Sequence, residues 1–131
     1  MAKVLVVDDS RLQVQLVKTA LERKGFAVEV AMDAVQAGMQ AIRNVPDAIV
    51  LDINMPGGSG IEVLKRLRLS TKTQGIPVAI VSGNEDPDVR QVALELGATV
   101  FLPKPVDTDQ LCDALTRLLP AVNIDTTRAK S

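Results

Sequence analysis

Five polar side chains that could carry ionic or phosphoryl chemistry follow short apolar runs in this sequence. Asp8 and Asp9 come directly after the run VLVV, and Asp52 follows AIVL. Ser82 follows VAIV, and Lys104 stands shortly after VFL. In an open α/β sheet, ligands bind outside the carboxyl ends of the strands, so these side chains would share one edge if the runs are parallel strands.

The residue types at this edge indicate a site for a phosphoryl group and a hard cation. Three carboxylates that share a pocket repel each other unless a cation joins them. The chain has no histidine and a single cysteine, Cys112, so oxygen ligands and Mg²⁺ are favoured over zinc or copper. A lysine and a hydroxyl are natural further contacts for phosphoryl oxygens, and an aspartate is available as the nucleophile.

Each of these residues also has a simpler structural interpretation. Asp9 could cap the following helix, and Asp52 could belong to the loop that follows its strand. Ser82 is typical of a turn, and a lysine such as Lys104 is ordinarily solvated. The simpler interpretations do not explain why all five polar groups follow strands at one edge of the predicted sheet.

The composition is that of one globular domain and excludes several classes of function. The 131 residues are 47% apolar and 24% charged, with a net charge of −1, so no basic field indicates nucleic-acid binding. One cysteine excludes an intrachain disulfide, and the absence of histidine excludes histidine catalysis. No signal-peptide core and no apolar stretch of about 18 residues is present, so we expect a soluble, cytoplasmic protein.

Five apolar runs alternate with five amphipathic stretches, which predicts an α/β domain with a parallel sheet and helices on both faces. Three runs are continuous, as in strands buried on both faces, whereas Glu29 marks the second run as a candidate edge strand. The predicted strands are Val4–Val7, Ala27–Ala31, Ala48–Leu51, Val78–Val81 and Val100–Leu102.

Start signals precede four of the predicted helices. Asp33 precedes the second helix, Ser59-Gly-Ile-Glu62 is a capping-box pattern for the third, Asp86-Pro87 opens the fourth and Asp107 opens the fifth. Pro120 would end the fifth helix, which predicts a domain over residues 1–120 and a flexible C-terminal tail over residues 121–131.

Apolar periodicity predicts which helix faces point inward. In the fourth helix, Leu94 lies opposite the predicted inner face and is expected to face solvent. The predicted inner residues are Leu16, Val17, Ala20 and Leu21 in the first helix, Val89, Val92, Ala93 and Leu96 in the fourth, and Leu111, Ala114, Leu115 and Leu118 in the fifth.

Four segments of the chain resemble those of response-regulator receiver domains in two-component signalling. VLVVDDS is similar to the first strand and acidic pair of the family, and IVLDINMPGGSGIEVL to its phosphoacceptor strand, loop and following helix. VSGN resembles the Thr/Ser switch region, and FLPKP the strand that ends in Lys-Pro. The resemblance runs from about Lys3 to Leu119 and implies a flavodoxin-like, doubly wound fold, with a five-stranded parallel sheet in the order 2-1-3-4-5 flanked by five helices.

The resemblance also implies a role for the acidic residues. Asp52 would accept a phosphoryl group from a histidine kinase or a His-phosphotransfer protein, acting in trans because the chain has no histidine. Asp9 and Asp52 would ligate Mg²⁺ directly, with the backbone carbonyl of Asn54 as a third protein ligand and Asp8 contributing through water.

The remaining matches concern phosphoryl binding and the switch. The resemblance implies that Ser82 and Lys104 bind phosphoryl oxygens and that Phe101 occupies the aromatic switch position. Phe101 replaces the frequent tyrosine, so its switching would rest on bulk alone, whereas Ser82 keeps the hydroxyl of the more common threonine. A cis peptide bond between Lys104 and Pro105 is expected, together with an output surface on the fourth helix, fifth strand and fifth helix.

The expected function is a phospho-accepting switch rather than an enzyme, its only chemistry being Mg²⁺-dependent self-phosphorylation and self-dephosphorylation. A Mg²⁺-dependent phosphatase with an aspartate nucleophile is the enzymatic alternative, but Asn54 stands where such enzymes usually place a second acid. A flavin-binding module would need aromatic stacking, and only 2% of the residues are aromatic. The chain would be a stand-alone receiver or one cut from a longer regulator, acting on a protein target and not directly on nucleic acid or membrane.

Overall fold

Five strands alternate with five helices in the computed structural model, which describes residues 2–55, 60–83, 87–98 and 100–119. The strands are β1 (Lys3–Val7), β2 (Ala27–Ala31), β3 (Ala48–Asp52), β4 (Val78–Ser82) and β5 (Val100–Pro103). The helices are α1 (Arg11–Arg23), α2 (Ala34–Arg43), α3 (Gly60–Leu69), α4 (Pro87–Glu95) and α5 (Thr108–Leu118).

The strands form one parallel sheet in the order β2-β1-β3-β4-β5, which confirms the α/β, doubly wound prediction. The strands with continuous apolar runs, β1, β3 and β4, occupy the centre, and every residue of β3 is buried. The run interrupted by Glu29 forms an edge strand, as predicted, and β5 forms the other edge.

Two apolar cores cover the two faces of the sheet because successive strand residues point to opposite sides. Leu5 of β1 joins a core with α2, α3 and α4, whereas Val6 joins a second core with α1 and α5. Burial of large apolar side chains in both cores stabilises the fold and fixes the strand ends at one edge.

The observed helix caps agree with the sequence signals where the structure describes them. Asp33 caps α2 by accepting a hydrogen bond from the backbone N–H of Gln36, and Asp107 caps α5 in the same way. Ser59, Asp86, Pro120 and the tail over residues 121–131 lie outside the described residues. The inner face of α5 is as predicted, with Leu111, Ala114 and Leu115 buried and Leu118 half-buried.

The predicted orientation of Leu16 in α1 is wrong. Its side chain is 54% exposed, and the residues of α1 that are buried are Val14, Val17 and Leu21. Leu16 lies one turn after the exposed Leu12, so the two form a second apolar stripe outside the core.

The prediction for Val92 in α4 is also wrong, because this side chain is exposed. Ala93 is buried, and Val89 and Leu96 pack against the core. Successive residues of a helix are rotated by about 100°, so Val92 points to the side of the core-facing Ala93. Leu94 is exposed, as predicted.

Arg68 ties the end of α3 to the α4–β5 connection and to the segment before β4. Its Nε atom donates a hydrogen bond to the carbonyl of Leu96 at 2.6 Å, and Nη1 donates to the carbonyls of Gln74 and Ile76 at 2.9 Å each. Burial lowers the pKa of this guanidinium, which nevertheless stays charged because arginine titrates far above neutral pH.

Arg68→Met should lower the free energy of unfolding by about 2 kcal/mol, because three carbonyl groups lose a charge-assisted donor. Urea denaturation followed by circular dichroism measures the change. Arg66→Met, an exposed arginine two residues earlier in the same helix, serves as the control and should leave the midpoint unchanged. Equal midpoints for the two variants would show that the carbonyl contacts do not stabilise the fold.

Candidate functional site

The acidic cluster arises from the pairing of β1 with β3. Val7 pairs with Leu51, so Asp8 and Asp52 stand side by side where the two strands end. One carboxylate oxygen from each of Asp8, Asp9 and Asp52 lies within 4.8 Å of the others, a spacing that could hold a metal ion. Asp8 and Asp52 are buried and Asp9 is exposed, so the cluster opens to solvent on one side.

Lys104 reaches this cluster from the end of β5. Its Nζ atom lies 3.1 Å from Oδ2 of Asp52 and 3.6 Å from Oδ2 of Asp8. The backbone N–H of Lys104 donates to the carbonyl of Ser82 at 3.0 Å, and the Lys104–Pro105 peptide bond is cis, as predicted. The simpler interpretation of Lys104 as a solvated lysine is therefore wrong.

Asn54 connects the acidic strand end to Ser82. Its backbone N–H donates to Oδ1 of Asp52 at 3.0 Å, and its Nδ2 atom donates to the Ser82 hydroxyl oxygen at 3.2 Å. Asp52 and Ser82 are the last residues of their strands, so neither is a loop or turn residue.

Ser10, and not Asp9, caps α1. The Ser10 side chain accepts a hydrogen bond from the backbone N–H of Gln13, while the Ser10 N–H donates to Oδ1 of Asp8 at 2.9 Å. The capping interpretation of Asp9 is therefore wrong, and its carboxylate belongs to the acidic cluster.

Burial and neighbouring charges shift the pKa of two of these groups. Burial raises the pKa of Asp8, and the neighbouring Asp52 carboxylate raises it further, against the opposing effects of the Ser10 N–H and Lys104. Burial alone would lower the pKa of Lys104, but the Asp52 and Asp8 carboxylates outweigh it, so the net direction is upward. Lys104 therefore stays protonated and offsets part of the negative charge.

Gly60, which the sequence analysis did not single out, allows α3 to begin against the end of β3. A Cβ atom at this position would lie 2.6 Å from Cα of Ile53 and 2.7 Å from the carbonyl oxygen of Asp52. The Gly60 N–H donates to the carbonyl of Ile53 at 3.1 Å. The sequence signal for this close contact was the glycine itself, which stands at the first position of the helix after β3.

An apolar groove of about 510 Å³ lies on the α1 side of Lys104. The exposed side chains of Leu12 and Leu16 line it, together with Pro105 and Val106. The groove thus lies between α1 and the segment that directly follows Lys104 in the chain.

Phe101 is half-buried and packs against the core that α4 covers. The guanidinium carbon of Arg90 lies 4.5 Å from the ring centroid, a favourable cation–π distance. The ring therefore contacts a charged side chain from α4 as well as the apolar core.

Known proteins with similar sequences and structures identify the family. The model for the response regulator receiver domain matches residues 4–116. The chain is 39% identical over 106 residues to the response regulator PleD of Caulobacter vibrioides, covering 81% of this chain and 23% of that protein. It is 33% identical over 123 residues to the response regulator MprA of Mycobacterium sp. (strain KMS), covering 94% of this chain and 53% of that protein.

The solved structure of the chemotaxis protein CheY4 of Vibrio cholerae is similar, with a TM-score of 0.86, 35% identity, and coverage of 91% of this chain and 99% of that one. The chain belongs to the response-regulator receiver-domain family of two-component signalling. It spans about a quarter to a half of the length of the curated relatives named above.

Receiver domains are signalling switches rather than classical enzymes, and response regulators work with histidine kinases and downstream targets. Among the residues that the structure describes, no helix is long and apolar enough to cross a bilayer.

Asp8→Asn should stabilise the metal-free protein at neutral pH. The pKa of Asp8 is higher in the folded protein than in the unfolded chain, so the folded protein binds the Asp8 proton more tightly. Stability is therefore lost as the pH rises from the unfolded pKa through the folded pKa. The amide removes the charge, keeps an acceptor for Ser10, and should raise Tm by a few degrees at pH 7.

Thermal denaturation in EDTA from about pH 4 to pH 8 measures this effect. Asp113→Asn, an exposed position on α5, is the control and should follow the wild-type profile. A lower Tm for Asp8→Asn at pH 7 would mean that the charged form of Asp8 stabilises the fold.

Proposed function

We propose that this chain is a phospho-accepting switch of a two-component phosphorelay, with Asp52 as the phosphorylation site. The observation that carries the proposal is the buried carboxylate of Asp52, which clusters with Asp8 and Asp9 and lies 3.1 Å from the Lys104 ammonium. A phosphoryl group on Asp52 would therefore be close to a cluster that could hold a cation and to the Lys104 ammonium.

The three aspartates fit Mg²⁺, which prefers carboxylate and carbonyl oxygens. Three carboxylates and one ammonium leave two negative charges uncompensated, which a divalent cation would neutralise. Asp9 and Asp52 would bind it directly, with the backbone carbonyl of Asn54, and Asp8 would contribute through water. Bound Mg²⁺ would supply charge stabilisation for the transferring phosphoryl oxygens.

In the transfer step, a carboxylate oxygen of Asp52 attacks the phosphorus atom and forms an acyl phosphate. The bond between phosphorus and the donor breaks at the same time, releasing the donor histidine, or acetate when acetyl phosphate is the donor. The Lys104 ammonium, already 3.1 Å from Asp52, would bind a phosphoryl oxygen. Ser82 would bind another through its hydroxyl group.

The donor would be a histidine kinase or a His-phosphotransfer protein, as membership of the response-regulator family implies. It would act in trans, because this chain has no histidine of its own. The donor must bring its phosphoryl group to the open side of the acidic cluster. The apolar groove lined by Leu12, Leu16, Pro105 and Val106 lies between α1 and the segment after Lys104, and it would contact the donor.

The switch would link Ser82 to Phe101. Ser82 pairs with Pro103, two residues from Phe101 on β5, so a shift of the Ser82 hydroxyl toward a phosphoryl group changes the space next to the ring. Arg90 carries that change to α4, where Leu94 is exposed. The target protein would bind the face formed by α4, β5 and α5, without direct contact with nucleic acid or membrane.

The receiver domain would span residues 1–120 and act in the cytoplasm, with residues 121–131 as a C-terminal tail, either alone or as part of a longer regulator. Its chemistry would be limited to self-phosphorylation from small donors and self-dephosphorylation. The phosphatase alternative is disfavoured because the Asn54 amide donates a hydrogen bond to Ser82 and has no acidic proton for a leaving group.

Asp52→Asn should abolish labelling by acetyl phosphate with Mg²⁺, because the amide is not a nucleophile. Intact-protein mass spectrometry should show an adduct of about 80 Da in the wild type and none in the variant, with unchanged far-ultraviolet circular dichroism. Asp113→Asn should be labelled like the wild type. EDTA should suppress wild-type labelling, and undiminished labelling of Asp52→Asn would place the phosphorylation site elsewhere.

Beryllium fluoride with Mg²⁺, which mimics the phosphoryl group, should shift amide resonances of residues 83–95 and 100–106 as well as those of the site. The ring resonances of Phe101 should also move, because the Arg90 contact is altered. Asp52→Asn under the same conditions is the control and should show no shifts on this face. Shifts confined to the loops around Asp52 and Lys104 would exclude α4 and β5 from the output surface.

A further inference from the structure

The contact between Arg90 and Phe101 joins a charged side chain of α4 to the edge of the sheet. The guanidinium carbon of Arg90 lies 4.5 Å from the centroid of the Phe101 ring. Arg90 is exposed, whereas Phe101 is half-buried. A cation over an aromatic face is attracted by the ring quadrupole, and this attraction does not require a hydroxyl group on the ring. The contact therefore gives Phe101 a directional tie to α4 that apolar packing does not provide.

Few other side chains attach α4 to the rest of the domain. Of the residues of α4 that the structure describes, Ala93 alone is buried. Val89 of α4 and Leu96, just after the helix, are half-buried and pack against the same core as Phe101. A helix with few buried contacts moves at a low cost in free energy, so a single cation–π contact is a sizeable part of what positions α4 beside the ring.

The Phe101 ring and the Ser82 hydroxyl group lie on the same face of the sheet. Phe101 pairs with Ile80 of β4, and the Phe101 ring packs against the core to which Ile80 belongs. Ser82 follows Ile80 by two residues, and alternate residues of a strand point to the same face. Ser82 is therefore a diagonal neighbour of Phe101 across β4 and β5, so movement of one side chain changes the space available to the other.

We propose that Arg90 is a positioning residue that holds Phe101 in the unphosphorylated arrangement and thereby opposes phosphorylation of Asp52. The inference rests on the proposed function, because it concerns the regulation of the same site. When Ser82 shifts toward a phosphoryl group, space opens beside the ring and Phe101 turns further inward. The inward ring loses its contact with the exposed Arg90 side chain, so the cation–π attraction stabilises only the unphosphorylated arrangement.

Removing a contact that only the unphosphorylated arrangement makes should strengthen ligand binding at Asp52. A ligand shifts a conformational equilibrium only through interactions that differ between the two states. Without the Arg90 contact, the switched conformation is more populated before the ligand binds, so the apparent affinity rises. A cation–π contact at an exposed site corresponds to a change of about two- to fivefold in an equilibrium constant.

Arg90→Met tests the proposal, because methionine keeps most of the apolar stem of the side chain and removes the charge. With saturating Mg²⁺, this variant should bind beryllium fluoride about two- to fivefold more tightly than the wild type, measured by nuclear magnetic resonance titration of amides around Asp52. Arg90→Lys keeps a cation and should lie between the two. Arg66→Met, which removes an exposed arginine from α3, is the matched control and should bind like the wild type.

A double-mutant cycle assigns the effect to the pair rather than to Arg90 alone. Phe101→Leu keeps an apolar side chain and removes the aromatic face. Adding Arg90→Met to Phe101→Leu should leave the affinity for beryllium fluoride unchanged, because no ring remains for the guanidinium to contact. Circular dichroism checks that each variant is folded, and Phe101→Met replaces Phe101→Leu if the latter is not.

Three outcomes would overturn the proposal. Equal affinities of Arg90→Met and the wild type would show that the contact does not oppose the switch, and a weaker affinity of Arg90→Met would mean that Arg90 stabilises the switched state. A gain in affinity that persists in the Phe101→Leu background would come from another contact of Arg90. A wild-type protein that binds no beryllium fluoride with Mg²⁺ would contradict the proposed function itself, so the two failures are distinguishable.

Discussion

Repulsion among carboxylates at the ends of β1 and β3 is the constraint on which the rest of this site depends. Sheet pairing forces Asp8 and Asp52 into contact, and burial of both side chains removes the water that would otherwise screen them. The Lys104 ammonium offsets only part of this charge. The folded domain therefore holds a surplus of negative charge that favours a divalent cation and disfavours a bare phosphate.

The elements around the cluster hold it in place against that repulsion. The backbone N–H of Ser10 donates a hydrogen bond to Asp8, and the backbone N–H of Asn54 donates one to Asp52. Because both donors belong to the backbone, their positions do not depend on the rotamers of the Ser10 and Asn54 side chains. Lys104 is held in turn by the hydrogen bond between its own N–H and the carbonyl of Ser82. Most of the geometry of the site is thus fixed before any ligand binds, which favours specific recognition.

The apolar runs and the polar residues that follow them allowed the strands and the acidic cluster to be predicted from the sequence, with the strand order supplied by family resemblance. The sequence did not show that Leu16 faces solvent, because α1 carries two apolar stripes and periodicity does not indicate which of them packs against the sheet. The cap at Ser10 was missed because aspartate and serine are equally good caps and the choice depends on where the helix begins. Contacts between distant segments, such as Arg90 with Phe101, leave no local signal.

The hydrogen bond between Gly60 and Ile53 closes the chain after Asp52 into a loop with fixed ends. The entropic cost of closing a loop grows only slowly with its length, so a longer connection between the two anchors would add little to the entropic cost of folding. Position 60 tolerates no side chain, because a Cβ atom there would collide with the backbone of Asp52 and Ile53. A change of length in this loop therefore need not move the end of β3, where Asp52 stands.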